Sequence, residues 1–211
     1  MTGTAKLGWA GKTPKVAIES APFAPSVDEE REKYTKTWKD PLYRMASPAM
    51  RDHSEAILAW ADQHGMESII DFGAGKGTLD LFLKKNGFQV HMLDLASNCL
   101  DRDVREALDE NLTFEEVCLW DDAMAGRHAD GVICIDVLEH LPMAHVPTVV
   151  KYIRETAPHG YCNAALFPHQ VNGVELHLTL KSPKWWFQHF PDAECSVTEK
   201  GGRETHAVMV W

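Results

Sequence analysis

The sequence predicts an α/β protein: a mostly parallel, seven-stranded sheet with helices on both faces, an antiparallel C-terminal strand, and a helical extension in front. Three observations carry this. From Glu67 onward, apolar and β-branched runs alternate with helical patterns, as right-handed strand–helix–strand crossovers require. A glycine-rich turn, Gly73-Ala74-Gly75-Lys76-Gly77, stands where the first strand meets the first helix of that alternation. Near the end, Lys200-Gly201-Gly202 separates two strand-like runs, and a Gly-Gly turn makes them a hairpin.

In chain order, residues 1–27 are rich in Thr, Gly, Ala and Pro without periodicity and are expected to be a flexible arm. Residues 28–65 form a helical extension. Within it, 28–39 mix charges with the aromatic anchors Tyr34 and Trp38. Ser47-Pro48 then has N-cap and first-turn chemistry for a second helix, which carries Met50, Ile57, Leu58 and Trp60 and stops at Gly65. The domain proper spans 66–211, with strands expected at 67–72, 88–94, 113–119, 130–136, 160–167, 193–199 and 204–211. Helices are expected at 76–86, 101–110 and 143–157, with a short one in 182–190. In that short helix Trp185, Trp186 and Phe187 cannot share one face, so at least one is expected at a site mouth or a partner; the competing reading is core.

At a strand-to-helix turn, glycines let the backbone bend sharply and approach a ligand, while the free N–H groups of the next helix face it. The spacing excludes two ligand classes. A dinucleotide fingerprint needs G-x-G-x-x-G, but the third glycine here, Gly77, comes one position early and Thr78 occupies the required place. A phosphate-binding Walker loop needs Gly-Lys-Ser/Thr at a set distance, and Lys76 lies between glycines instead. A second feature agrees with a nucleoside ligand. Asp94 ends the run Phe88-Gln-Val-His-Met-Leu-Asp94 about 20 residues beyond the glycines, where a strand-tip carboxylate can accept from both ribose hydroxyls.

The pattern that remains, Asp71-Phe-Gly73-Ala-Gly75-Lys-Gly77, resembles motif I of the class I S-adenosylmethionine (SAM) dependent methyltransferases, particularly small stand-alone microbial members. Two further strings match that family. Asp136-Val-Leu-Glu139-His140-Leu-Pro142 resembles the continuation of its fourth strand, and Val117-Cys-Leu-Trp120-Asp121-Asp122 the end of its third. The resemblance covers about 67–211 and implies a Rossmann-like sheet, SAM as cofactor and S-adenosylhomocysteine (SAH) as product. It further implies that Gly73, Ala74, Gly75 and Gly77 shape the bed of the methionine end, with Asp71 orienting it. Asp94, followed by Leu95, would hold the ribose. Trp120 would pack on or beside the adenine, Asp121 would receive its amine, and Asp136 would lie near the methionine moiety. Residues 28–65 would then pack on a sheet edge or cover the cofactor.

SAM carries its own activated methyl, so the protein must align donor and acceptor, exclude water and ensure a deprotonated acceptor. For a hydroxyl acceptor a histidine base suits working pH. His140 is the first candidate, with Glu139 beside it. His177 is the second, from Glu175-Leu-His177-Leu-Thr-Leu180, where alternation puts Glu175, His177 and Thr179 on one face and the leucines on the other. An alternative joins them: Glu139, His140, Asp136 and a distant His177 as ligands of a divalent metal, similar to an E-x-x-E-H element of some metal-dependent O-methyltransferases, except that Asp136 replaces the first Glu.

Composition narrows the partners. With 211 residues and 45% hydrophobic content, the chain can build one sizeable core. A formal net charge of −10 disfavours a broad nucleic-acid surface without excluding a local basic groove. The fourth-strand string lacks the D/N-P-P-Y/F/W element of DNA amino-methyltransferases, and no Pro-Cys pair supplies a cytosine C5 nucleophile. The 5 scattered cysteines, without a C-x-x-C, suit reduced thiols. With no signal-like start and no membrane-length apolar run, a cytoplasmic protein is expected. The sequence therefore points to methyl transfer to oxygen or nitrogen of a small molecule. The alternatives are an RNA or modified-nucleotide methyltransferase, or a SAM-binding accessory protein without turnover. Neither the acceptor nor the oligomeric state is legible.

Overall fold

The structure, a computed structural model, describes residues 25–46 and 49–211. Most of the expected arm and the Ser47-Pro48 cap lie outside the described residues. The extension begins with α1 (Val27–Thr37), opened by a capping box: Glu29 N–H donates to Ser26 Oγ at 3.3 Å and Ser26 N–H donates to Glu29 Oε2 at 2.7 Å. A short helix that the sequence reading did not anticipate, α2 (Pro41–Ala46), follows, and then α3 (Ala49–Gln63).

The alternation from Glu67 is realised as β1 (Ser68–Phe72), α4 (Thr78–Lys85), β2 (Gln89–Asp94), α5 (Arg102–Glu106), β3 (Leu112–Glu116), β4 (Gly131–Cys134), α6 (Val146–Thr156) and β5 (His159–Ala165). A small hairpin, β6 (Gln170–Val171) and β7 (Val174–Glu175), precedes α7 (Pro183–Phe187) and the final pair β8 (Glu194–Lys200) and β9 (Arg203–Val210). The seven-stranded sheet has the order β3-β2-β1-β4-β5-β9-β8. The first five strands run parallel, and β9 runs antiparallel between β5 and β8. Strand order reverses between β1 and β4, so their carboxyl ends diverge and leave the crevice in which open α/β sheets take ligands.

Alternate residues of the central strands feed two cores. Ile70 and Phe72 of β1 and Val132 and Cys134 of β4 join α6, whose Val146, Val149, Val150 and Ile153 repeat at helical spacing, together with Trp186. Ile69 and Ile133 pack on the other face with Ile57 and Trp60 of α3 and Leu79 and Leu83 of α4. Trp186 is buried in the first core, Trp185 packs edge-on against it at 4.9 Å between ring centroids, and none of Trp185, Trp186 and Phe187 lines the crevice.

Two turns have the backbone that glycine permits. Gly201 and Gly202 both take positive φ between Lys200 and Arg203, giving the expected hairpin. Asn172 (φ 50°) and Gly173 (φ 79°) do the same between β6 and β7, a hairpin beyond those expected from the sequence, turned on an Asn-Gly pair. The third strand ends earlier than expected, at Glu116, but Val117, Cys118 and Leu119 beyond it stay buried.

Candidate functional site

The crevice is a cavity of about 640 Å³ with walls from both halves of the chain. Its floor is the turn after β1. Gly73 (φ 94°) and Gly75 (φ 54°) line it with Ala74 between them. The turn is pinned to β2 by three N–H donors: Gly73 and Ala74 to the Leu93 carbonyl at 2.8 and 3.0 Å, and Gly75 to Asp94 Oδ2 at 2.9 Å. A Cβ at Gly73 would stand 2.3 Å from Val137 Cγ2, so this position has neither the backbone nor the room for a side chain. Gly77 does not line the cavity; it shapes the N-terminus of α4 and packs against Val104 and Met92.

Asp94 and Leu95 line the cavity at the tip of β2. The second Asp94 oxygen, Oδ1, accepts from Ala96 N–H at 3.1 Å. Burial pushes the Asp94 carboxyl up to about 6, partly opposed by the Gly75, Ala96 and Leu95 amides. Asp71 lies beneath the turn, outside the cavity, paired with Asp80 of α4; the two carboxyls are 4% and 0% exposed. Burial and the neighbouring Asp80 hold Asp71 well above the ordinary carboxylate range, and burial raises Asp80 to about 7.

Of the two third-strand candidates, Trp120 lines the cavity and stacks on His145 at 4.9 Å with the rings 9° from parallel. Asp121 is exposed and outside the lining, and its Oδ1 accepts from Ala123 N–H at 2.9 Å as the cap of a short 3₁₀ turn. Asp136 lines the cavity just after β4 with φ 55°, a conformation rare for a side-chain-bearing residue, and donates its N–H to Asn163 Oδ1 at 2.6 Å. Its Oδ1 lies 3.4 Å from Nε2 of His206 on β9.

Glu139, His140 and His177 meet in the same lining, each with a ligand atom within 4.8 Å of the others. The segment after β7 brings His177 there: Thr179 donates its N–H to the Glu139 carbonyl at 2.8 Å and its hydroxyl to the Leu141 carbonyl at 2.6 Å. The predicted alternation survives without a strand, since His177 and Thr179 are buried while Leu178 and Leu180 are exposed; Leu176 departs from it by being buried. Glu139 is 0% exposed and neither carboxylate oxygen has a hydrogen-bond partner. Burial and then Asp136 raise its carboxyl to about 8, against the amides of Glu139 and Ala165, which lie outside hydrogen-bond geometry. Burial, then His177, depresses His140 well below the ordinary histidine value, and burial lowers His177.

Several lining residues were not singled out for the site from the sequence. Tyr34 and Trp38 of α1, seen there only as anchors, line the cavity, and Tyr34 Oη lies 2.8 Å from His140 Nδ1. Tyr43, His53, Phe167, His169 and His206 also line it. Tyr43 of α2 stacks on His169 at 5.9 Å, and Asn172 of the small hairpin donates to Asp40 Oδ2 at 2.8 Å, so α2 and the β6–β7 turn meet over the cavity. Among the described residues, no helix is long and apolar enough to cross a membrane.

Comparison with known proteins agrees with this architecture. Among curated proteins, the ubiquinone biosynthesis O-methyltransferase of Burkholderia pseudomallei (strain 1710b) is 28% identical over 125 residues, covering 54% of this chain and 53% of that protein. That of Burkholderia multivorans is 29% identical over the same shares. The chain thus spans about half the length of the curated relatives it matches. Among solved structures, the 1,6-didemethyltoxoflavin-N1-methyltransferase of Burkholderia thailandensis, with 1,6-didemethyltoxoflavin and SAH bound, superposes with a TM-score of 0.66 at 19% identity, covering 90% of this chain and 91% of that one. Magnesium protoporphyrin IX methyltransferase from Synechocystis PCC 6803, with SAM bound, gives 0.64 at 17% identity over 87% and 95%. At these identities the structural likeness speaks for the fold. The sequence model of the family described as "Methyltransferase domain" matches residues 31–199, most of the chain, and the protein belongs to that family.

Proposed function

We propose that the chain transfers the methyl group of SAM to an oxygen or nitrogen of a small-molecule acceptor held beside Glu139, His140 and His177. The single observation that carries this reading is that one cavity is lined by the glycine turn and Asp94 together with the Glu139–His140–His177 cluster. Its volume of about 640 Å³ falls within the usual range for small-molecule sites. The names of the similar proteins, a ubiquinone biosynthesis O-methyltransferase, a 1,6-didemethyltoxoflavin-N1-methyltransferase and a magnesium protoporphyrin IX methyltransferase, support a small-molecule acceptor and transfer to O or N.

The residues present fit the cofactor. Gly73 and Gly75 give a floor without side chains, which a ligand can approach closely, and Asp94 offers a carboxylate for a ribose while holding the turn through Gly75. Trp120 and Leu119 offer apolar walls for an adenine, and Asp136 lines the same cavity with a carboxyl group. When bound, SAM supplies a methyl on a sulfonium, and the electron pair of the broken carbon–sulfur bond stays on sulfur. The chain's part is to position the acceptor, keep water out and take a proton. Tyr34, Trp38 and Tyr43 close the cavity with aromatic surface. His140, kept neutral by burial and by its neighbours, has a lone pair with which to receive the acceptor's proton.

The test is turnover with fractionated acceptors. Purified protein given SAM should form SAH when small-molecule extract is added and not with RNA. SAH formed only with RNA would replace this reading with the nucleic-acid one, and tight binding without turnover on any pool would favour an accessory role.

A further inference from the structure

From the geometry of the acceptor end we infer that Glu139, His140 and His177 form a binding site for one divalent first-row transition ion of the zinc or cobalt kind. The inference deepens the methyltransferase reading and rests on it only for the ion's task, not for its binding.

Glu139 is poorly satisfied for a side chain lining the cavity. Its carboxylate is fully buried and both oxygens lack a hydrogen-bond partner. A buried polar group without a partner is costly, and a carboxylate more so, unless a ligand completes it. His177 is prepared for the same ligand. Its Nδ1–H donates to the Phe167 carbonyl at 2.5 Å, which fixes the tautomer and leaves the Nε2 lone pair directed at Glu139, 3.9 Å from Oε1. Orientation of a metal-binding imidazole by a backbone carbonyl on its other nitrogen is the usual supporting arrangement. His140 adds the second imidazole. Its Nδ1 lies 2.8 Å from Tyr34 Oη, a hydroxyl that can donate or accept a hydrogen bond and so accommodates coordination by the ring.

The donor set decides the kind of ion. Two imidazoles and one carboxylate suit zinc, cobalt or iron, whereas magnesium and calcium prefer oxygen alone. Three protein ligands leave a position open toward the cavity, as catalytic rather than structural zinc sites do. Ligand atoms spread over 4.8 Å need to draw in modestly, since bonds of about 2.0–2.2 Å place neighbouring ligands nearer to one another than that. The open face would meet the acceptor's oxygen or nitrogen and lower its pKa, relieving His140 of the role of free base.

Tag-free full-length protein, stripped with chelator, should take up one Zn²⁺ per chain in equilibrium dialysis and give the visible absorption of a low-symmetry Co²⁺ site when titrated with cobalt. Glu139→Gln and His177→Ala should each weaken uptake at least about tenfold. His128→Ala, at an exposed histidine outside this cavity, should leave it unchanged. SAH affinity, measured on the same samples, reports whether the variants fold and should be retained. Absence of a stoichiometric ion in the wild type, or uptake that survives both cavity variants, would overturn the site. Failure of the wild type to bind SAH while taking up the ion would overturn the methyltransferase reading instead and leave the ion site standing.

Discussion

His177 and Glu139 face one another inside the protein, Nε2 to Oε1 at 3.9 Å, while the far nitrogen of the imidazole is committed to the Phe167 carbonyl. The two residues lie 38 positions apart, and Thr179 is what brings them together, through its bonds to the Glu139 and Leu141 carbonyls. A pair so buried and so poorly satisfied is a cost to folding, and both residues line the cavity that the glycine turn also lines.

His140→Ala should lower turnover by about 10²–10⁴-fold, the usual range for a lost acid–base group and the direction expected of a lost metal ligand as well, with SAH affinity changed little. Calorimetry with SAH and a turnover assay on the same preparation separate the two effects. An undiminished rate with the true acceptor would remove His140 from the chemistry.

Asp94→Ala should weaken SAH binding by about 1–3 kcal/mol, because a half-buried carboxylate loses its ribose hydrogen bonds and the Gly75 amide loses its anchor. Calorimetry reads this directly. Unchanged affinity would sink the ribose assignment.

Gly73→Ala and Gly87→Ala form a matched pair, since both positions have positive φ, 94° and 100°. Only at Gly73 would the new Cβ also strike a neighbour, Val137, which precedes the Leu138-Glu139-His140 turn; at Gly87 nothing lies within 4 Å. Gly87→Ala should cost about 1–2 kcal/mol of stability with SAH binding intact. Gly73→Ala should cost more, on the order of 2–4 kcal/mol, and abolish SAH binding. Denaturant melts and calorimetry check both, and equal effects at the two sites would contradict the close-approach argument.

The buried pair Asp71 and Asp80 makes stability depend on pH. Both carboxyls are raised in the folded state, so their contribution is full below the ordinary carboxylate pKa of about 4; Asp80's share is lost as pH rises through about 7, and Asp71's as pH rises through its own raised value. Asp80→Asn keeps the shape and can donate to Asp71 without a charge. Its melting temperature should fall less than the wild type's between about pH 5 and 8, with an advantage at the upper end on the order of a few kcal/mol. Parallel curves for the two proteins would show that the pair does not titrate in this range.

Much of the fold was legible because it is encoded locally. Strand and helix periods, the turn glycines and the Gly-Gly hairpin each occupy a few consecutive residues, and the central strands formed within a residue or two of their expected limits. The floor of the candidate site was legible for the same reason: the glycine turn, Asp94 and the Asp136–His140 string are contiguous motifs at strand ends. The rest depends on contacts between distant segments. Tyr34 meets His140 across 106 positions, and Tyr43 meets His169 beside the bond between Asn172 of the β6–β7 turn and Asp40 just before α2. Nothing in the period of either segment announces such a meeting. The Asn172-Gly173 turn did carry a local signal and would have located the hairpin. Asp121 shows the converse: a motif position next to a lining tryptophan turns outward, because its side chain caps the next turn.

The central claim is that this cavity moves a methyl group from SAM to a small molecule, and isotope tracing tests it most directly. Purified protein is incubated with methyl-labelled SAM and an extract of the source cells, and the small-molecule, RNA and protein fractions are analysed by mass spectrometry. The account predicts label on one or a few small molecules through oxygen or nitrogen, absent when His140→Ala or Gly73→Ala replaces the wild type. Label confined to RNA or protein, or no enzyme-dependent label in any fraction, would contradict it.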